Sequence, residues 1–210
     1  SDDCIEIGAG DNRICSFYHH TSFAKATHDE FLEHANTTLK EASEFFHNCN
    51  KIIITLGTSW CFKHPDKDMI VSNCLKRNPN EFTRNLLELS EVRNILKEIR
   101  ELCSGKELIF TVSPIRHLKD GAHGNQLSKS TLLLGINEMV KDCRCDYFPA
   151  YEIMMDELRD YRFYAEDMCH PSQQAVGHIG ERFLDWALPF EEQDKLKENI
   201  RAWKHGCHIS

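Results

Sequence analysis

Two short apolar runs along the chain predict buried β-strands. Residues 51–56 read Lys-Ile-Ile-Ile-Thr-Leu, and residues 107–112 read Glu-Leu-Ile-Phe-Thr-Val. Both runs are almost continuously apolar, rich in β-branched residues, and followed by Gly57 or by Ser113. These features are typical of strands that are buried on both faces of a parallel sheet. A weaker run at 146–149 predicts a third strand.

Apolar residues recur at helical spacing between these runs. Thr27 and Glu30 have the spacing of a capping box, and the pattern that follows predicts an amphipathic helix over 28–48. The Asn-Pro-Asn-Glu stretch at 78–81 marks a second helix start, and the helical pattern then continues until Gly105. The remaining expectations are an irregular stretch over 57–78 and helices over 128–142, 173–188 and 190–204.

Strands that alternate with helices of this length pair in parallel through right-handed crossovers. The sequence therefore predicts one domain over residues 1–210, with an α/β fold in which helices cover both faces of a parallel sheet, a three-layer α/β/α sandwich. Ligands of such sheets bind beyond the carboxyl ends of the strands. Three segments leave those ends, namely 57–60, 113–117 and the stretch after Pro149.

Composition narrows the classes of partner. The formal charge of −8 argues against a general attraction to nucleic acid or to an anionic membrane surface. No apolar run approaches the roughly 20 residues that cross a bilayer. A small-molecule or carbohydrate partner fits better, and the sequence leaves the oligomeric state open.

The ten cysteines contain no C-x-x-C pair. Cys143 and Cys145 lie two residues apart, but no matching Cys or His pair follows at zinc-finger spacing. We therefore expect free thiols, which favours a reducing, cytoplasmic compartment, and we expect neither a metal nor a cofactor. The acidic N-terminus lacks the apolar region of a signal peptide.

Asp167 and His170 form the first candidate catalytic pair. A carboxylate three residues before an imidazole, on a loop that enters a helix, can hold the ring through Nδ1 and leave Nε2 to act as a general base. An ordinary helix entry with both side chains solvated would give the same short pattern. Ser172, just after this pair, is expected to cap the next helix.

The segment that follows the first predicted strand is the second candidate. Gly57 lets the backbone turn sharply there, so that its amide and that of Thr58 can serve as an oxyanion hole. Ser59 follows the strand as nucleophiles on strand-to-helix turns do, which makes it the candidate nucleophile. A plain strand-ending turn is the alternative. Arg116 and His117 leave the second strand and either position a substrate carboxylate or phosphate or form a solvated loop.

Taken in order, these segments resemble the GSCFA family of bacterial proteins, which are placed with the SGNH (GDSL-like) hydrolases. The similarity covers nearly residues 13–185 and rests on "FYHHTSF", "IIITLGTSW", "TVSPIRH", "NQLSKSTLL" and "YFPAYEIMMDELRDYRFYAEDMCHPS". The resemblance implies a flavodoxin-like α/β/α fold, a serine nucleophile and an oxyanion hole at a backbone glycine. Gly57 and Thr58 fall on the oxyanion block, and Asp167 and His170 fall on the family's Asp-x-x-His block.

The chain departs from the family pattern in its nucleophile segment. The Gly-Ser-Cys-Phe-Ala motif, which would carry the reactive serine, is not in this sequence. The resemblance therefore implies an N-terminally incomplete domain that lacks its first strand. Many SGNH enzymes also use an asparagine as an oxyanion donor, where this chain has Ser59 or Trp60.

Two functions follow from the resemblance. The first is a serine-dependent esterase that removes acyl or acetyl groups from a carbohydrate. The second is a non-catalytic module that binds a glycan or an acylated ligand in an SGNH-like cleft. A nucleotide-binding role would need a glycine-rich phosphate loop, which the sequence does not contain.

Overall fold

The computed structural model describes residues 4–6, 12–142 and 144–207. They form a mixed α/β fold with three sheets. The strands are β1 (Cys4–Glu6), β2 (Ile14–Ser16), β3 (Lys51–Leu56), β4 (Trp60–His64), β5 (Met69–Val71), β6 (Thr83–Leu86), β7 (Glu107–Val112) and β8 (Asp146–Phe148). The helices are α1 (His28–Asn48), α2 (Leu89–Leu102), α3 (Gly121–Lys141), α4 (Ala150–Glu152), α5 (Gln173–Ala187) and α6 (Phe190–Cys207). A short π-helix, Ile153–Glu157, continues α4.

The parallel sheet has the strand order β3-β7-β8. Leu56 on β3 pairs with Val112 on β7, and Phe110 on β7 pairs with Tyr147 on β8. β7 lies in the centre and is buried after its first residue, as predicted. β3 alternates between exposed and half-buried positions. Our prediction that β3 is buried on both faces is wrong, because β3 is an edge strand of the described sheet.

Side chains of β7 reach two separate cores. Phe110 faces the core that α2 and α3 cover, where it joins Leu96 and Ile136. Ile109, the preceding residue, faces the opposite side of the sheet and joins the cluster that includes Phe183 of α5. Helices therefore pack on both faces of the parallel sheet, and each large apolar side chain buried there contributes about 1.5–3 kcal/mol to folding.

Several helix and strand predictions are confirmed. The capping box of α1 is present, since the Glu30 amide donates to Thr27 Oγ1 at 3.3 Å and the Thr27 amide donates to a Glu30 carboxylate oxygen at 3.2 Å. Ser172 caps α5, where its Oγ accepts from the Ala175 amide. β7, β8, α5 and α6 also lie where the sequence predicts them, and α3 begins at Gly121 rather than at residue 128.

The segment between β3 and α2 differs from the prediction. β4 pairs antiparallel with both β5 and β6, where we expected an irregular stretch and the start of a helix. The signal around Asn78 begins only a short 3-10 turn, Pro79–Glu81, and α2 starts at Leu89. Pairing with β4 recruits residues 83–86 into a sheet, so that tertiary contacts override the local helical pattern.

None of the described helices is both long enough and apolar enough to span a membrane. Within the same ranges, no three His, Cys, Asp or Glu side chains cluster in a way that suits a metal ion. Eight cysteines in the described part of the chain are free thiols. Cys143 and the side chain of Cys207 lie outside the described residues.

Candidate active site at the carboxyl ends of β3 and β7

Asp167 binds His170 and the backbone around it. One carboxylate oxygen lies 2.5 Å from Nδ1 of the imidazole. The other accepts hydrogen bonds from the amides of Cys169 and His170, both at 2.9 Å. Met168 adopts a left-handed conformation with φ of 58°, which turns the backbone so that both amides face the carboxylate. A carboxylate partner requires a proton on Nδ1, so the neutral ring presents Nε2 as an acceptor.

The charge of Asp167 is stabilised by these contacts. Hydrogen bonds from the amides of His170 and Cys169, and then from the imidazole, lower the pKa of Asp167 from 3.8 to about 2. The carboxylate therefore stays ionised at every ordinary pH. The side chain of His170 is 61% exposed, which leaves its ring accessible to a substrate.

Arg116 attaches this loop to the exit of β7. Its amide donates to the carbonyl of Cys169 at 3.0 Å, and its Nη1 donates to the carbonyl of Met168 at 3.1 Å. The guanidinium group also lies over the ring of Tyr164, 5.4 Å from the centroid. The loop closes on itself through the Ala165 amide, which donates to the carbonyl of His170 at 2.8 Å.

The turn after β3 is held by a serine of α3. Ser128 Oγ accepts from the Ser59 amide at 2.7 Å and lies 2.8 Å from Thr58 Oγ1. The hydroxyl of Ser59 donates to Ser128 as well, at 3.3 Å to its carbonyl oxygen and 3.2 Å to its Oγ. Ser59 is 1% exposed, so its hydroxyl faces the interior of the protein.

His117 flanks the same turn. Its Nε2 lies 3.7 Å from the position that a Cβ on Gly57 would occupy. Burial, and next the positive charge of Lys129, lower the pKa of His117, while Asp120 and the Gly57 backbone oppose the shift. Nε2 has no partner in good hydrogen-bonding geometry among the described residues. Burial and Lys129 therefore favour the neutral form of the His117 ring beside the Gly57 turn.

Two adjoining cavities lie beside these loops. One, of 210 Å³, is lined by residues that include Arg116, His117, Tyr151 and Tyr164. The second, of 300 Å³, shares Arg116 and Tyr164 with the first and adds Tyr161. Aromatic rings beside a guanidinium group provide both an apolar surface and hydrogen-bond donors.

The structure thus brings the predicted site residues to one edge of the sheet. Ser59 is buried there, whereas the ring of His170 is exposed. Arg116 meets the Asp167–His170 loop, and His117 meets Gly57. No hydrogen bond links Ser59 to His170 in the described part of the chain. Sequence reasoning assigned no role to Ser128 and Lys129, although both lie in the quoted block "NQLSKSTLL" as a polar pair inside an apolar helical pattern.

The model of the GSCFA family matches residues 4–183 of the chain. The chain belongs to the GSCFA family. Its matched range contains the turn at Gly57, the exit of β7 and the Asp167–His170 loop, so all three parts of the candidate site lie within the GSCFA domain. A search of curated proteins finds no match to the chain.

Proposed function

We propose that this GSCFA domain is a serine-dependent ester hydrolase with an SGNH-type α/β/α sandwich, acting on an acyl or acetyl ester of a carbohydrate. The 2.5 Å contact between Asp167 and Nδ1 of His170 carries the proposal, because it leaves Nε2 on an exposed ring. An imidazole that a carboxylate orients in this way can act as the general base of a serine hydrolase triad.

The mechanism is acyl transfer to a serine and then to water. Nε2 of His170 takes the proton of the serine hydroxyl as its oxygen attacks the ester carbonyl, and Asp167 stabilises the imidazolium that forms. The amides of Gly57 and Thr58 donate to the tetrahedral oxyanion. His170 then gives the proton to the departing alcohol oxygen. In the second half, His170 takes a proton from water as the water oxygen attacks the acyl-serine carbonyl. His170 then returns the proton to the serine oxygen as the new intermediate collapses to the carboxylic acid and the free serine.

The cavities beside the site suit such a substrate. Tyr161 and Tyr164 offer rings against which the apolar face of a sugar can lie, and Arg116 offers donors to its oxygens. An apolar groove of 380 Å³ is lined in part by Ser113, Ile179, Phe183 and Pro171, the residue that follows His170. We assign the sugar to the aromatic cavities and the acyl group to the entrance of this groove.

Ser59 stays a predicted nucleophile, and its buried hydroxyl would have to leave Ser128 in order to react. This environment favours the alternative function, a module that binds a glycan or an acylated ligand without turnover. Both functions use the same cleft, and they differ in whether a serine reacts.

Labelling with a fluorophosphonate probe tests the proposal. We expect one serine of the folded chain to be labelled and the label to be lost in His170→Ala, because the probe reacts only with an activated hydroxyl. Peptide mapping then identifies the labelled serine. A label on Ser59 confirms Ser59 as the nucleophile, and a label on another serine assigns the role to that residue instead. A folded chain that takes up no label and hydrolyses no acetyl ester contradicts the hydrolase and favours the binding module.

A further inference from the structure

Lys129 is completely buried on α3. Its Nζ donates hydrogen bonds to the carbonyl oxygens of Gly57 at 2.5 Å and Ser113 at 2.7 Å. Gly57 follows β3 and Ser113 follows β7, so one ammonium group joins the exits of two neighbouring parallel strands. These are the strand ends where the candidate site lies.

The contact with Gly57 determines where the amide of Thr58 points. The Gly57 carbonyl and the Thr58 N–H belong to the same trans peptide unit, and the two groups of such a unit point in opposite directions. Lys129 holds the carbonyl toward the interior, so the N–H is directed away from the lysine. None of the described residues accepts a hydrogen bond from this N–H.

Burial of a charged lysine is unfavourable unless its surroundings compensate for the loss of water. Here desolvation lowers the pKa of Lys129 to about 8. The two carbonyls stabilise the cation, and the ring of Tyr151 lies with its centroid 5.8 Å from Nζ. An apolar side chain of the same length would fill the space without this penalty, so a lysine suggests a role beyond packing.

We propose that Lys129 is a positioning residue for the oxyanion hole, because its ammonium group fixes and polarises the Gly57–Thr58 peptide so that the Thr58 N–H faces the reacting ester. A cation at the carbonyl oxygen draws electron density from the peptide and makes its N–H a stronger donor. The catalytic consequence rests on the proposed hydrolase function. The orientation of the peptide does not.

Lys106 provides a matched control. Its Nζ also donates to two backbone carbonyls, those of His47 at 3.1 Å and Cys49 at 2.6 Å. These carbonyls precede β3, at the end opposite to the candidate site. Lys106→Met therefore removes the same type of contact just before β3 without touching Gly57, and Lys129→Met is the test variant.

The first measurement needs no enzymatic activity. In protein labelled with nitrogen-15 at threonine, Thr58→Ser identifies the Thr58 amide resonance. We expect this resonance to move upfield in Lys129→Met and to keep its wild-type position in Lys106→Met. A folded Lys129→Met protein with an unchanged Thr58 resonance overturns the proposal.

The second measurement is hydrolysis of 4-nitrophenyl acetate. Loss of an oriented oxyanion donor acts on the transition state, so kcat should fall by about 10²-fold in Lys129→Met. KM should change by less than about twofold, since the substrate itself is bound elsewhere. Lys106→Met should keep both constants. An unchanged kcat in Lys129→Met overturns the proposal even if the Thr58 resonance moves.

The two measurements separate this inference from the proposed function. If the wild type hydrolyses no ester while the Thr58 resonance moves only in Lys129→Met, the positioning of the amide is supported and the hydrolase proposal fails. If Lys129→Met does not fold, Lys129→Gln takes its place. If neither variant folds, the wild type is tested by NMR scalar couplings through the hydrogen bonds from Lys129 Nζ to the carbonyl carbons of Gly57 and Ser113. Observed couplings support the proposal, and their absence overturns it.

Discussion

The backbone amide of Arg116 donates a hydrogen bond of 3.0 Å to the carbonyl oxygen of Cys169. This bond attaches the exit of β7 to the loop that carries Asp167 and His170. His117, the next residue, lies beside Gly57 in the turn that follows β3. Three segments that are far apart along the chain therefore meet at one edge of the parallel sheet, and this meeting is the basis of the proposed site.

The imidazole of His170 should be essential for hydrolysis. We expect His170→Ala to lower kcat for 4-nitrophenyl acetate by about 10³-fold or more, because it removes both the base and the acid of the mechanism. His178 is a suitable control, since its Nε2 also contacts a carboxylate, Glu157, at 3.0 Å. His178→Ala should keep its activity. Normal turnover in His170→Ala would remove this residue from the mechanism.

The contribution of Asp167 to stability should depend on pH in a defined direction. Its pKa is about 2 in the folded protein and 3.8 in its ordinary state, so the folded chain binds the proton less readily. The stabilisation is therefore complete above pH 3.8 and is lost as the pH falls toward 2. Urea unfolding should show a difference between wild type and Asp167→Asn that shrinks as the pH falls from about 4 to about 2. A difference that stays constant over this range contradicts the shift.

Lys129 should make stability rise with pH as well, but in an alkaline window. Its pKa is lowered from 10.5 to about 8, so between these values the unfolded chain binds more protons than the folded one. Stability from this group therefore rises with pH across that window. The free energy of unfolding should increase more between about pH 7.5 and about pH 9.5 in the wild type than in Lys129→Met. Equal gains would mean that Lys129 titrates normally.

Ser128 should stabilise the turn after β3. Ser128→Ala leaves the buried Ser59 amide without its acceptor, and we expect a loss of about 1–3 kcal/mol in the free energy of unfolding. Ser130, half-buried on the same helix, serves as the control. Chemical denaturation of both variants checks the expectation. Equal stability of the two would show that water replaces the Ser128 hydroxyl.

Gly135 should be required for the contact between α2 and α3. A Cβ at this position would lie 3.0 Å from Val92 Cγ1 and 3.2 Å from Leu96 Cδ1, both on buried side chains. Overpacking costs about 1–3 kcal/mol and exceeds the gain of about 1 kcal/mol in helix propensity, so Gly135→Ala should destabilise the fold. Among the described residues, a Cβ at Gly177 on α5 meets no atom of a neighbouring element within 4 Å, so Gly177→Ala should stabilise by about 1 kcal/mol. Thermal unfolding should show a lower melting temperature than wild type for Gly135→Ala and a higher one for Gly177→Ala.

The sequence alone determined the elements whose causes are local. The capping box of α1 and the apolar run of β7 involve residues that are neighbours along the chain, and the structure has both. The pairing of Asp167 with His170 was also predictable in outline, because the two residues are only three positions apart. Their local geometry needs little help from the rest of the fold.

Only the tertiary structure decided the features that depend on distant partners. β6 forms because β4 is available to pair with it, and β3 is half exposed because it lies at the edge of its sheet. Ser128 and Lys129 look like ordinary helical residues until Ser59 and Gly57, 69 and 72 positions earlier, are placed beside them. Side-chain hydrogen bonds across such separations have no periodicity in sequence, so their physical cause becomes visible only when the chain is folded.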